Sequence, residues 1–276
     1  MYKILEKRTL NEQVKLMVIA APLIAKKAKA GQFIILRVHD MGERIPLTIA
    51  DHDADKGTVT IIFQEVGRTT MSLGKLNKGD SLEDFVGPLG KASHFDASVK
   101  KAAIIGGGLG TAIALPQAKE LHALGVDVTS IAGFRTKDLI ILEDELNSVS
   151  NKVIITTDDG SNGNKGFVTD ALQNQIDAGE KFDLVIAIGP LIMMKFVTLL
   201  TKKYGIKTIV SMNSTMIDGT GMCGGCRLTV GGETKFACID GPDFDGHEVD
   251  FDEAMRRSGM YKKQEDESCK LFNEVD

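Results

Sequence analysis

The chain has 276 residues, 43% of them hydrophobic and 26% charged, with a formal net charge of −5. That length suits two or three domains sharing one or two cores, and the composition excludes a disordered chain. The mild acidic excess, absent Trp and scarce Tyr argue against the basic stripe and stacking platform of a nucleic-acid binder.

The N-terminal stretch MYKILEKRTLNEQVKLMVIAAP is charged and alternating, without the basic-then-apolar order of a signal peptide. The most apolar segment, 184–194, contains Gly189 and Pro190 and is too short to span a bilayer. A soluble cytoplasmic protein is expected. Three of the four cysteines fall between 223 and 238, which in a reducing compartment suggests metal ligands rather than a disulfide framework.

Taken in chain order, VKLMVIAAP, GQFIILRVHD, RIPLTIADHD and TVTIIFQEVG are short β-branched runs separated by polar or Gly/Pro punctuation. A helical stretch around TTMSLGKLNKGD follows, then DSLEDFVGPLGKAS, a strand running into a Gly-Pro turn. Such a series predicts a small antiparallel β-barrel over residues 1–97. From Lys101 the character changes. KAAIIGG, VDVTSIAGF, KVIITTDDGS, DLVIAIGP and IKTIVSMN read as apolar strands, and helical segments such as DALQNQIDAG and MMKFVTLLTKKYG lie between them. This alternation predicts a parallel α/β domain over 98–212, with its functional loops at one sheet edge. Residues 213–276 lose the pattern and hold the cysteine group and an acidic, polar end.

Three motifs carry chemistry. IIGGGLGTA, spanning 104–112, is a glycine-rich turn from strand to helix, suited to close approach of a pyrophosphate. The same run also serves as a tight turn in any α/β domain, and it is not a strict G-x-G-x-x-G. Asp158, Asp159, Gly160, Gly189 and Pro190 close later strands, where ligands of open α/β sheets bind. In ERIPLTIAD, strand alternation projects Arg44 and Thr48 from one face, able to hold a phosphate and a ring polar group. VGRTTMS adds a glycine turn with two adjacent threonine hydroxyls.

The third motif, DGTGMCGGCRLTVGGETKFAC, places Cys223, Cys226 and Cys238 among glycines. A zinc ion or an iron–sulfur cluster would accept such thiolates, and glycine density beside the ligands favours the cluster. Asp218, His247 and Cys269 are the candidates for a fourth ligand.

Together and in this order, the barrel with R-I-P-L-T, the G-R-T-T turn, the strand–GGG–helix, the I-G-P turn and the cysteine loop resemble the ferredoxin-reductase-like electron-transfer subunits. Those of dihydroorotate dehydrogenase are the familiar case. The form most similar is the small subunit of NADH-dependent reduced ferredoxin:NADP oxidoreductase, since Asp218 stands where the dihydroorotate relatives carry a cysteine. The resemblance implies that Arg44, Pro46, Leu47, Thr48, Phe63, Gln64, Gly67, Thr69 and Thr70 bind FAD. It implies that Gly106, Gly107, Gly108, Leu109, Gly110, Thr111, Asp158, Asp159, Gly160, Gly189 and Pro190 line an NAD(H) site. Asp218, Cys223, Cys226 and Cys238 would hold a [2Fe–2S] cluster in residues 213–276, and Cys269 would be a free thiol. Hydride transfer would proceed by cofactor stacking, with no catalytic acid or base. Electrons would pass to or from a larger flavoprotein/iron–sulfur subunit that binds NADP(H) and ferredoxin. The alternatives are a dihydroorotate dehydrogenase partner and, from another class, a zinc-stabilised nucleotide-binding regulatory module.

Overall fold

The computed structural model describes residues 2–274. Seven strands come first: β1 (Tyr2–Thr9), β2 (Val14–Ala20), β3 (Phe33–Arg37), β4 (Arg44–Asp53), β5 (Thr58–Gln64), β6 (Ser81–Leu82) and β7 (Asp84–Leu89). Two short helices, α1 (Pro22–Ala25) and α2 (Arg68–Lys75), interrupt them. The strands form an antiparallel sheet in the order β6-β1-β2-β5-β4-β3-β7, curled into a nearly closed barrel. Its core is built from alternate residues such as Met17, Ile19, Ile34, Leu36, Ile61, Phe63 and Phe85. β7 does not stop at its Gly-Pro pair but runs through Pro88, which the end of the sheet tolerates. β1 was not expected as a strand. Of its side chains only Ile4 is buried, so its charged exposed face hides the alternation.

The second unit comprises β8 (Lys101–Gly107), α3 (Gly110–Ala123), β9 (Asp127–Phe134), α4 (Glu143–Ser148), β10 (Lys152–Thr157), α5 (Val168–Asp177), β11 (Leu184–Ile188), α6 (Leu191–Lys203) and β12 (Lys207–Ser211). Its sheet is parallel in the order β10-β9-β8-β11-β12. Alternation divides the strands between two layers. Ala102, Ile104, Leu184 and Ile186 pack with α3 through Ala114, Ala118 and Leu121. Ala103, Ile105, Val185 and Ala187 pack with α5 and α6 through Leu172, Met194 and Val197.

The last segment contains β13 (Arg227–Val230), β14 (Glu233–Phe236), α7 (Ala237–Asp240), β15 (Asp243–Asp245), α8 (Phe251–Ser258) and α9 (Lys262–Glu274). β13 and β14 are joined by Gly231-Gly232, both at positive φ, the backbone that a two-residue hairpin turn demands. The segment is not an appendage. β15 joins β12 as an antiparallel sixth strand of the parallel sheet. α9 returns to the barrel side, where Lys75 of α2 stacks on the Phe272 ring at 4.2 Å.

The order of the parallel strands reverses between β8 and β11, and this switch point is where open α/β sheets open a ligand crevice. The glycines there do different work. A Cβ on Gly110 would stand 2.2 Å from the Ile188 carbonyl oxygen, and one on Gly107 would stand 2.5 Å from Met193 Sδ. These positions let the two turns pack on each other. Gly108, at φ +55, faces open space instead.

One buried carboxyl joins all three segments. Asp243 of β15 accepts hydrogen bonds at Oδ2 from Ser93 Oγ (2.6 Å) and from Gln117 Nε2 of α3 (2.9 Å). Its Oδ1 makes no bond of acceptable geometry, although the Ser211 hydroxyl faces the carboxyl. Burial pushes the Asp243 carboxyl above its ordinary value, against the smaller opposing effect of the two serines.

Two outcomes follow from this packing. Gly110→Ala forces its Cβ onto backbone and should cost about 3 kcal/mol in urea denaturation, whereas Gly108→Ala costs only the left-handed backbone strain, about 1 kcal/mol. Equal losses would contradict the close-packing role of Gly110. For Asp243, a raised folded-state value means that its share of stability is complete below the unfolded value of about 3.9 and is lost as pH rises through the folded value. Asp243→Asn should therefore be more stable than the parent at neutral pH, with the difference shrinking towards about pH 4. Parallel stability–pH curves would show that burial does not raise the Asp243 carboxyl.

Candidate functional site

The cysteine loop, 213–226, leaves β12 and folds against the barrel before entering β13. Gly219, at φ +75, lies so close to the barrel that a Cβ would meet Leu89 at 2.7 Å and Ile35 at 2.8 Å. Gly221, at φ +84, is similarly closed in by Ile239, 2.6 Å from where its Cβ would stand. Both positions need the left-handed backbone that glycine tolerates.

The four expected ligands, three in the loop and Cys238 in α7, form two pairs. Asp218 Oδ1 lies 3.4 Å from Cys223 Sγ, and Cys226 Sγ lies 3.2 Å from Cys238 Sγ. All four cysteines are free thiols, with Cys226 and Cys238 buried and Cys223 exposed. The Asp218 carboxylate is well supplied with donors. It accepts from the Thr220 amide (3.1 Å), the Thr220 hydroxyl (3.1 Å), the Met222 amide (3.2 Å) and the Cys223 amide (3.1 Å). These bonds, led by the Thr220 N–H, hold it down to about 2, so it is an anion across the physiological range. Cys238 is shifted the other way. Burial first, then the neighbouring Cys226 thiol, pushes it up to about 12, while the Gly221 N–H and the Asp218 charge act in opposite senses. In this protonated form it is a poor nucleophile, and a metal would have to displace its proton.

Among the described residues, no three His, Cys, Asp or Glu side chains gather round a single point. The paired arrangement suits a two-iron cluster, in which each iron takes two protein ligands, better than one tetrahedral zinc. The other two candidates for a fourth ligand are engaged elsewhere. His247 Nε2 lies 3.3 Å from Thr201 Oγ1 of α6, and Cys269 sits on α9, the helix that packs on α2. Three arginines grip the loop by its carbonyls: Arg44 Nε donates to Ile217 O (2.9 Å), Arg227 Nη1 to Gly224 O (3.4 Å) and Arg257 Nη2 to Gly225 O (3.2 Å). Of these only Arg44 was anticipated as a functional residue. Arg257 stands 32 residues from its partner, and nothing in the spacing marks it.

The expected flavin residues lie beside this loop. Residues 44, 46 and 48 of β4 share one face and pair with Arg37, Ile35 and Phe33 of β3. That is the outer face of the barrel, since Phe33 and Ile35 belong to the core shared with the cysteine loop. Leu47 instead packs inward, and Phe63 is wholly buried in the barrel core. Gln64 Nε2 donates to Gln13 Oε1 at 2.8 Å. Gly67 caps α2, and the Thr70 hydroxyl completes that cap by accepting from the Val66 and Gly67 amides. The Thr69 hydroxyl donates to Glu43 Oε2 at 2.6 Å.

Across the switch point stand the expected nucleotide residues. Gly108 is the member of the glycine run with open space above it. Gly106, Gly107 and Gly110 are taken up by packing on Thr111, Met193 and Ile188. Leu109 is the N-cap of α3, and Thr111 Oγ1 is buried without a hydrogen-bond partner. At the ends of β9 and β10, the Asp158 amide bonds Phe134 O (3.0 Å), and the Asp159 amide bonds Arg135 O (3.3 Å). Ser161 holds the Asp159 carboxyl below the usual carboxylate range. Gly160 turns at φ +79 against Lys165, and Gly189-Pro190 closes β11 against Gly107. The glycine turn, the acidic loop and the I-G-P turn thus occupy one edge of the sheet.

Residues 213–250 match the model of the iron–sulfur cluster binding domain of dihydroorotate dehydrogenase B. The chain is 45% identical to a Thermotoga maritima protein described as a dihydroorotate dehydrogenase B (NAD(+)) electron transfer subunit homolog, over 95% of each chain. It is 52% identical to an uncharacterized protein in the adh 3'region of Clostridium beijerinckii, covering 96% of this chain and 92% of that one. In three dimensions it is similar to a chain of the NADH-dependent reduced ferredoxin-NADP oxidoreductase, solved for insight into flavin-based electron bifurcation. That chain has a TM-score of 0.93 and 43% identity over 99% of this chain and 98% of its own. Fold, cysteine loop and near-full-length similarity agree: the chain belongs to the family of dihydroorotate dehydrogenase B electron-transfer subunits, built on the ferredoxin-reductase-like fold.

Proposed function

We propose that this chain is the small subunit of an electron-bifurcating NADH-dependent ferredoxin:NADP oxidoreductase, carrying electrons between NAD(H) and a larger flavoprotein subunit. The observation that carries it is the cysteine loop: two ligand pairs, one containing an aspartate, set against the outer face of the barrel. Similarity to the ferredoxin-NADP oxidoreductase chain over nearly the whole of both chains supports the same reading.

When bound, a flavin would exchange a two-electron hydride with NAD(H) on one side and single electrons with a [2Fe–2S] cluster on the other. The chain's residues would supply binding and orientation. Arg44, Pro46 and Thr48 on the outer face of β4, with the Gly67 turn and Thr69, would hold FAD. Gly108 and the α3 N-terminus would receive the dinucleotide pyrophosphate at the switch point, with Asp158–Gly160 and Gly189–Pro190 lining the crevice. Asp218 and Cys223 would ligate one iron, and Cys226 and Cys238 the other. Transfer would require fixed geometry and no acid–base residue.

The alternative, a dihydroorotate dehydrogenase partner, draws on relatives such as the Streptococcus mutans dihydroorotate dehydrogenase B (NAD(+)) electron transfer subunit, 34% identical over 90% of this chain. Isolation of the native complex separates the two: NADPH-dependent reduction of NAD and ferredoxin supports the proposal, whereas turnover of dihydroorotate sinks it. Among the described residues no helix is long and apolar enough to cross a membrane.

The purified protein should show flavin and iron–sulfur absorption; a colourless zinc protein would end this reading. Asp218→Ala should lose or destabilise the cluster, whereas Asp218→Cys should retain it with an altered reduction potential. Unchanged iron content and EPR spectrum in Asp218→Ala would remove Asp218 from the ligand set. Cys269→Ala should leave both signals untouched.

A further inference from the structure

Arg44 stands where two sites meet. It opens β4 on the outer face of the barrel, paired with Arg37 of β3. Its Nε donates at 2.9 Å to the carbonyl of Ile217, 173 residues along the chain. Ile217 directly precedes Asp218, and Gly219 directly follows it, seated on Ile35 and Leu89. Asp218 is thus held between two tethers to the barrel, one polar and one apolar. Among the described residues, the Nη1 and Nη2 groups of Arg44 make no hydrogen bond or ion pair. A guanidinium is planar, and with Nε committed its far edge still offers a two-pronged face to an anion.

We propose that Arg44 is a positioning residue for Asp218 as well as an anion-binding residue for the flavin, its one guanidinium divided between the two sites. Nε fixes the carbonyl beside the cluster ligand, and the Nη edge takes the FAD pyrophosphate. Flavin occupancy and the placement of Asp218 are then coupled through one rigid group. This inference rests on the flavin and cluster assignments proposed above.

Two substitutions separate the halves. Glutamine places its Nε2 the same number of bonds from Cα as the arginine Nε, so Arg44→Gln keeps a donor for Ile217 O and drops the charged edge. Lysine lacks a donor at that position and carries its charge further out, so Arg44→Lys does the reverse. Both are measured as full-length holoprotein, with FAD affinity by titration, the EPR spectrum of the reduced cluster, and iron release to a chelator at saturating FAD. Arg44→Gln should bind FAD about tenfold more weakly and keep the parent EPR line shape and iron-release rate. Arg44→Lys should keep FAD affinity within about threefold, change the EPR line shape, and release iron about tenfold faster. Thr69→Ala, which removes the hydroxyl bonded to Glu43 and leaves the Arg44–Ile217 bond its donor and acceptor, should leave the cluster signals unchanged once FAD is saturating. Parent-like EPR and iron release in Arg44→Lys would overturn the link, as would equal cluster damage in both Arg44 variants, which a general loss of folding produces. A wild-type protein with neither flavin nor iron would instead overturn the cofactor assignments on which the link rests.

Discussion

The cysteine loop reaches the barrel because residue 219 has no side chain. A single Cβ there would stand 2.7 Å from Leu89 Cδ1 and 2.8 Å from Ile35 Cδ1, so those side-chain ends or the loop would have to shift, and the φ of +75 would strain any other residue. What it lies against is a strand that serves two cores. β3 is buried on both faces, with Ile34 and Leu36 in the barrel core and Phe33 and Ile35 in the core of the rest of the molecule. That second core also contains Cys226, Cys238, Leu228 and Ala237. Two of the four proposed ligands are therefore core residues, and the barrel wall forms part of the same core. Spacing between a flavin on β4 and a cluster in the loop would be set by close packing rather than by a linker.

Electrostatics divides the ligand set along the same line. The pair at the surface contains an ionised carboxylate saturated with N–H and O–H donors, and the buried pair contains a thiol held firmly protonated. A thiolate pair in that pocket would gain its charge only with metal to offset it. Asp218 gathers the amides of residues 220, 222 and 223 from within the loop, while arginines hold its carbonyls from outside.

Much of this was readable in the sequence, and the gaps have physical causes. Strands with a clean period of two, and the alternation after Lys101, gave the barrel and the parallel sheet directly. β1 escaped because its exposed face is charged on nearly every other residue. α8 and α9 escaped because their polar faces dominate a short, acidic stretch, although Asp250 caps α8 by accepting from the Glu253 amide. The glycine run was expected to serve a pyrophosphate. Sequence cannot show that a glycine also admits a neighbouring element, and in the fold Gly106, Gly107 and Gly110 pack closely on Thr111, Met193 and Ile188. Asp218 was singled out by its place in a motif, yet only the fold shows it facing Cys223 and ringed by donors.

The division at residues 97 and 212 describes the chain's order better than its cohesion. The final segment supplies an edge strand to the parallel sheet through β15, a shared core through β13 and α8, and a cap on α2 through α9. Asp243 carries the point furthest, since one carboxyl buried between Ser93 and Gln117 ties the end of the barrel segment and α3 to β15. An appended iron–sulfur module would need only a flexible join and a surface of its own. Here the loop that would hold the cluster is clamped at Ile217 by a barrel arginine, at Gly219 by a barrel wall, and beyond Cys238 by a strand of the nucleotide sheet. Fixing one short loop from both neighbouring units leaves little freedom for either to move without displacing the proposed ligands, which is what keeping the three proposed redox sites in register would require.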